Sequence, residues 1–380
     1  MAENVVGVVR GSEKLQSFSN LIGISGFDEA LAAAHAASGK TKENFRVVVK
    51  PNMMVFVSRK GYEATVTDWE LVETLIDHIG SLGFTNVAIC EAQHDVGRMF
   101  KNHNVQFVAD QIGYRPNGRY RIVDLTLESV PHAYPYIDSR GRPKVWKDVV
   151  GVTWRDADFR ISFAKCKTHE HDWMTLAVKN IYGCFPATNK VARYHIRNEV
   201  FDVTARSLRS FPVHFAFIDG WIGSDGFQGY KVPSPQPLRM LFGGRDVIAV
   251  DMEAFKRAGV DPLKSRTLRN AVEQVNGGAY PAYAVQGDAT TRFADVCPWG
   301  NIADDIVQAI DHLEEVYVGW ALINLKPSAE YMDYTLFPPK NFLYRLVVWL
   351  SKKLNAVFKL TWLYRKFYRR RRPSAAGPQP

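Results

Sequence analysis

Cysteine is scarce. The 380 residues hold four, Cys90, Cys166, Cys184 and Cys297, and no two form a C-x-x-C pair. That spacing excludes a disulfide framework and a zinc ribbon, and a reducing cytoplasm is the expected setting. No apolar run approaches the ~20 residues that cross a bilayer. The opening MAENVVGVVRGSEKL lacks the basic and apolar regions of a secretory signal. No repeat of 20–50 residues is present, and no low-complexity segment precedes the last eight residues. Acidic residues are missing from one place altogether. Of the 48 lysines and arginines, 11 lie from Lys340 onward, where no aspartate or glutamate occurs. The 37 before them face 39 acidic residues, so a body of net charge −2 carries a cationic tail.

What is present is a folded α/β pattern. Apolar residues make up 46% and charged residues 23%, the balance of a globular chain. RVVVK (46–50) reads as a short buried strand ending at Pro51-Asn52. TDWELVETLIDHIGSLG (67–83) reads as an amphipathic helix, with Thr67 as N-cap, Glu70 three residues later and Gly83 at its end. Strands are expected over 86–91, 120–125, 159–164, 213–219 and 238–244, with helices between them. Such alternation favours a mainly parallel sheet flanked by helices. Ligands of such sheets sit beyond the carboxyl ends of the strands. The predicted division is an N-terminal extension over 1–45, an α/β core over 46–300, a helical connecting segment over 301–339 and a basic tail over 340–380.

The chemistry concentrates in ISFAKCKTHEHDWMTLAVKNIYGC (161–184). Lys165, Lys167, Thr168 and His169 follow an apolar strand, and Lys179 and Asn180 lie on the next short helix. Two lysines, a hydroxyl and an imidazole at a strand end suit an anion, the lysines acting as point charges. Lys50 and Asn52 at the first strand end join them, and Glu91 and Asp219 end two further strands. His169 is the expected acid/base, because its pKa lies near working pH, with Asp219 and Glu91 as the second group. His169, His171, Asp172 and His195 form a side-chain set compatible with a divalent metal, although no HExxH spacing is present. DGWIGSDGFQG (219–229) places glycines at 220, 223, 226 and 229, a density that lets backbone approach a ligand, and Gly220 is the candidate contact.

These segments, in this order, resemble the bacterial and archaeal family called domain of unknown function 362. The matching positions are Lys50-Pro51-Asn52, then Lys165, Lys167, Thr168 and His169 of K-x-K-T-H, then Lys179, Asn180 and Gly183 of K-N-x-x-G. Asp219-Gly220 and Asp246 with Asp251 complete the series. The resemblance spans about residues 46 to 275 and implies a shared fold and a shared site. Many relatives also carry a ferredoxin-like segment with clustered cysteines. This chain has no such run, and Val247 stands where many relatives have proline. An iron–sulfur cluster is therefore not expected here.

The tail NFLYRLVVWLSKKLNAVFKLTWLYRKFYRRRRP (341–373) predicts a helix over about 341–368. Arg345, Lys352, Lys359 and Lys366 recur every seven residues along one stripe, and Leu343, Leu346, Val347, Leu350 and Leu354 take the other side. A basic helix with an aromatic-rich apolar face fits an anionic lipid surface, here through residues 340–372. The alternatives are packing on the body, a second subunit of a homo-oligomer, or nucleic acid, of which no specific recognition is expected. The sequence thus predicts a cytoplasmic protein, peripheral on the inner face of a membrane. It is read as an enzyme acting on an anionic, phosphorylated or carboxylated substrate, free or lipid-linked. The alternative is a non-catalytic binding or electron-transfer adaptor of the same fold.

Overall fold

Val47, Val48 and Val49 are all buried, and they form a strand covered on both faces. A strand at the middle of a parallel sheet needs an apolar residue at every position, because helices pack on each side. The computed structural model describes residues 4–169, 172–196, 200–226, 229, 233–299, 331–358 and 360. Its strands are β1 (Val5–Arg10), β2 (Val47–Pro51), β3 (Val87–Glu91), β4 (Arg121–Asp124), β5 (Ser129–Ile137), β6 (Pro143–Gly151), β7 (Phe159–His169), β8 (Trp173–Thr175), β9 (Phe215–Ser224), β10 (Pro235–Gln236), β11 (Met240–Gly244) and β12 (Ala284–Gly287). Ten of them form one sheet whose main path runs β12-β1-β11-β9-β7-β2-β3-β4.

The run β9-β7-β2-β3-β4 is parallel throughout. The carboxyl ends of the strands expected over 46–50, 86–91, 159–164 and 213–219 therefore share one edge. β11 reverses direction against both β9 and β1, so the sheet is mixed but mostly parallel. β1 sits between β11 and β12. Residues 5–10 are thus built into the sheet rather than forming an extension, and the helices Lys14–Ile24 and Phe27–Ser38 bury Phe18, Leu21 and Phe27 against it. The reason is invisible locally, since the partners of β1 lie 230 or more residues away.

Two apolar layers follow from strand alternation. Val47, Val49, Ile161, Phe163, Phe215 and Phe217 face one layer, with the helices Trp69–Ser81 and Val105–Ile112. Val48, Ala88, Cys90, Ala164, Cys166 and Ala216 face the other, with the helices Val200–Ser210, Val247–Arg257 and Arg266–Asn276. The helix at 69–81 is capped by Asp68, whose carboxylate accepts from the Glu70 N–H at 3.0 Å. Thr67, the expected cap, is otherwise engaged. Its hydroxyl accepts from the Asn52 N–H and donates to the Phe163 carbonyl, both at 2.8 Å, which ties the segment after β2 to β7.

Residues 331–340 return to the carboxyl edge. Phe337 is fully buried beside Phe56, His103 and Phe107. Pro338 accepts from the Lys101 N–H at 2.9 Å, and the Lys340 N–H donates to the Met99 carbonyl at 3.0 Å. This latch starts a final helix, Phe342–Phe358. The remainder of the expected helix, 359–368, lies outside the described residues apart from Leu360, and so does most of the connecting segment, 300–330. No described helix is long and apolar enough to cross a membrane.

Candidate anion-binding site

β2 ends in Lys50-Pro51, β3 in Glu91 and β7 in Lys167-Thr168-His169, and the three ends open on one cavity of about 270 Å³. Lys50, Asn52, Glu91, Lys167, His169, Lys179, Asn180 and His195 of the predicted set all line it. Residues drawn from segments more than a hundred apart in sequence converge because parallel crossovers return each strand end to the same edge.

The lysines are not equivalent. Lys50 is buried and paired with Glu91, Nζ to Oε2 at 2.8 Å, and it donates also to the Pro51 carbonyl at 2.8 Å and to Asn180 Oδ1 at 3.2 Å. Glu91 accepts further from the N–H groups of Met53 at 3.2 Å and Ala92 at 3.1 Å. Among the described residues, Lys167 has no carboxylate against it. Its ammonium donates to Asn52 Oδ1 at 2.7 Å and to the Thr65 carbonyl. Burial, with Lys165 and Lys50 nearby, holds its pKa well below the ordinary lysine value. Lys179 sits on the wall with its ammonium 5.5 Å from the Phe201 ring centroid.

Asn180 is the joint of the site. Its amide donates to the Lys50 carbonyl at 2.8 Å and to Ser162 Oγ at 3.1 Å, while its oxygen accepts from Lys50 and Asn52. The short helix Ala177–Asn180 that carries it is seated by Asp251. That carboxylate accepts from the Ala177 and Val178 N–H groups at 2.7 and 2.9 Å. Burial pushes Asp251 up to about 8 in spite of these donors. The D-x-x-x-x-D element of the sequence thus acts from behind the site, and Asp246 caps its own helix by accepting from Ile248 and Ala249.

Gly183 closes the floor. A Cβ there would lie 2.5 Å from Glu91 Oε1 and 2.6 Å from Lys50 Nζ, so the K-N-x-x-G glycine is required by close approach to an ion pair. Gly183→Ala is expected to force the pair apart and to cost about 1–3 kcal/mol as overpacking. Urea denaturation checks this, and a variant as stable as the parent would show that the floor yields freely.

Several expected residues stand elsewhere. Lys165 faces Asp219 directly across β7 and β9 in register, and the two form a buried pair at 2.8 Å. Asp219 also accepts from the Asp68 and Trp221 N–H groups at 2.9 and 3.0 Å. The register shifts between Lys165 and Lys167, and only the second reaches the cavity. Thr168 turns away to donate to the Gly226 carbonyl. Gly220 lies within β9 against β11, where a Cβ would meet the Met240 carbonyl at 2.6 Å, so its need is strand packing rather than a ligand. Asp172 is buried at the start of the helix Arg266–Asn276, accepting from Ser265 Oγ and the Arg266 N–H. It does not line the cavity, as His169 and His195 do, and His171 lies outside the described residues. Among the described residues, no group of three or more His, Cys, Asp or Glu could hold a metal ion. All four cysteines are buried free thiols.

Lys190, Tyr182, His94 and Asp95 also line the cavity and were not singled out in the sequence. Lys190 donates to the Gly183 carbonyl at 3.3 Å, and burial lowers its pKa to about 8. Nothing local marks it, since ATNKVAR reads as a surface turn. Tyr182 could have been suspected, because it stands inside K-N-x-x-G. Its buried hydroxyl has no hydrogen-bond partner among the described residues, and burial holds the phenol in its protonated, donating form.

A mostly parallel α/β sheet with a lysine-lined cavity at its carboxyl edge defines the class. The chain belongs to the family described as Domain of unknown function (DUF362), whose profile matches residues 47–256, more than half of the chain. Over 118 residues it is 27% identical to a thylakoid-associated protein of Synechocystis sp., a match covering 30% of this chain and 36% of the relative. The chain therefore spans little more than a third of that curated relative. No solved structure matches it.

Proposed function

We propose that the cavity binds a phosphorylated or carboxylated substrate at an anionic membrane surface, with His169 as the acid/base at its wall. The observation that carries this reading is Lys167. It is a buried ammonium on the cavity with carbonyl oxygens rather than a carboxylate against it, a position whose desolvation an incoming anion would offset. Lys190 adds a further donor on the same wall, which Tyr182, with a buried hydroxyl unpartnered among the described residues, also lines. Titration of the purified full-length chain with inorganic phosphate, alongside native mass spectrometry for a retained anion, tests it. No binding of either kind would end the reading.

The depressed amines set a pH dependence. A bound anion favours the charged form of Lys190, so binding raises its pKa and takes up a proton wherever the free protein has lost it. The share of phosphate affinity that Lys190 supplies is expected to hold below about 8 and to fall as pH rises through that value toward the ordinary lysine pKa. Calorimetry in two buffers of different ionisation enthalpy reads the proton uptake directly. An affinity that stays level from pH 7 to 10 would remove Lys190 from binding.

Attachment to the membrane rests on the tail. Residues 340–380 carry 11 basic and no acidic residues. Each contributes on the order of 1 kcal/mol near an anionic surface. Phe342, Leu343, Trp349 and Leu350 are exposed on the final helix. The thylakoid association stated for the Synechocystis relative points the same way. Co-sedimentation with anionic vesicles is expected to be strong at low salt. It should be weakened but not abolished at 1 M, where the Debye length shrinks to about 3 Å. Indifference to vesicles at low salt would refute the attachment.

A further inference from the structure

The final helix has two apolar sides that face different media. Tyr344, Val347, Val348 and Ser351 line the cavity mouth. Phe342, Leu343, Leu346, Trp349, Leu350 and Leu354 are 40–78% exposed. At 3.6 residues per turn the first set and the second lie on different faces of the helix. Lys352 reaches back over the Tyr334 ring at 4.3 Å, which holds the helix to its latch. The cavity lining is likewise of two chemical kinds. Lys50, Glu91, Lys167 and Lys190 are charged, whereas Met54, Val55, Val57, Met99 and Phe100 are apolar and belong to the same hydrophobic cluster as Val348 of the helix.

We propose that the final helix is the roof of a site for an anionic amphiphile, whose headgroup meets the lysines and whose single hydrocarbon chain lies between the helix and the Met54–Met99–Phe100 wall. The chain comes from the bilayer on which the outer face of the helix rests. This deepens the anion-site reading and rests on it. A cavity of about 270 Å³ holds a headgroup and the first part of a chain. The rest leaves under the helix, toward the side where the exposed apolar residues are. Charge complementarity selects an anionic lipid surface as the source, because every charged side chain from Lys340 onward is cationic. A solvated anion without a chain would give no reason for aliphatic side chains to close one half of a lysine-lined site.

The test compares inorganic phosphate with dodecyl phosphate, used below its micelle concentration, by calorimetry on the full-length chain. Burial of only a few methylenes makes dodecyl phosphate at least about 100-fold tighter. Val347→Ser and Val348→Ser, made separately and checked by circular dichroism, should each reduce that preference about tenfold while leaving phosphate affinity unchanged. Leu346→Gln with Leu350→Gln, on the outer face, should keep the preference and weaken vesicle co-sedimentation. Equal affinity for the two phosphates, or a preference that both valine variants leave intact, overturns the roof while phosphate binding still supports the site beneath it. If phosphate itself does not bind, both readings fall.

Discussion

Lys165→Met is expected to destabilise the protein by about 3–5 kcal/mol, the cost of leaving one member of a buried pair without its partner. Lys165 and Asp219 are 1% and 0% exposed and 2.8 Å apart. Their strands pair in register at that position, so neither side chain can swing to water without breaking the sheet. Asp219 would keep two N–H donors, from Asp68 and Trp221, but lose the one cation paired with it among the described residues. Lys165→Met with Asp219→Asn should regain much of the loss, because no bare charge then remains. A double-mutant cycle from urea denaturation isolates the coupling. A loss below about 1 kcal/mol for the single variant would mean that the pair is not a structural element. Phosphate affinity at a pH where the variant is folded should match the parent, and a large fall would return Lys165 to the site.

Lys167→Met, two residues along the same strand, should have the opposite signature. Phosphate affinity is expected to fall by about 10- to 100-fold, corresponding to the roughly 1.5–3 kcal/mol of one charge-assisted hydrogen bond. Stability should change little. Removing a buried amine whose charged form is disfavoured is favourable, and it offsets the stranding of Asn52 Oδ1 and the Thr65 carbonyl. Equal phosphate affinity in variant and parent removes Lys167 from binding. The two variants together distinguish a lysine that holds the sheet from one that faces the ligand, although K-x-K-T-H presents them alike.

The parallel centre of the sheet was legible because each strand there is short, apolar and followed by a turn signal. VVVK, NVAICEA and FRISFAK announce themselves within a few residues. The flanks were not. β1 contains a glycine and pairs with strands near residues 240 and 284, so its role depends on contacts that no window of sequence contains. The hairpin β5–β6 was missed because Pro131 and Pro135 interrupt its first strand. Proline is tolerated there because a two-stranded sheet leaves each strand one edge without ladder bonds. Asp68 replaced Thr67 as helix cap for a similar reason, the threonine hydroxyl being taken by β7 and the segment after β2.

The sequence by itself determined the fold class, the family, the edge of the sheet that carries polar residues and the separation of a near-neutral body from a cationic tail. Each of these depends on residue type and local spacing, which periodicity and composition report directly. Tertiary structure alone decided the assignment within the polar set. It put Lys50 against Glu91 and Lys165 against Asp219, left Lys167 facing the cavity with carbonyls, made Asp172 and Asp251 into supports for helix starts, and brought in Lys190 and Tyr182. It also laid one side of the final helix over the cavity and the other toward solvent. These outcomes turn on which charges are neutralised within about 3 Å across strands distant in sequence, and at that range burial and pairing, rather than residue type, set what a lysine can do.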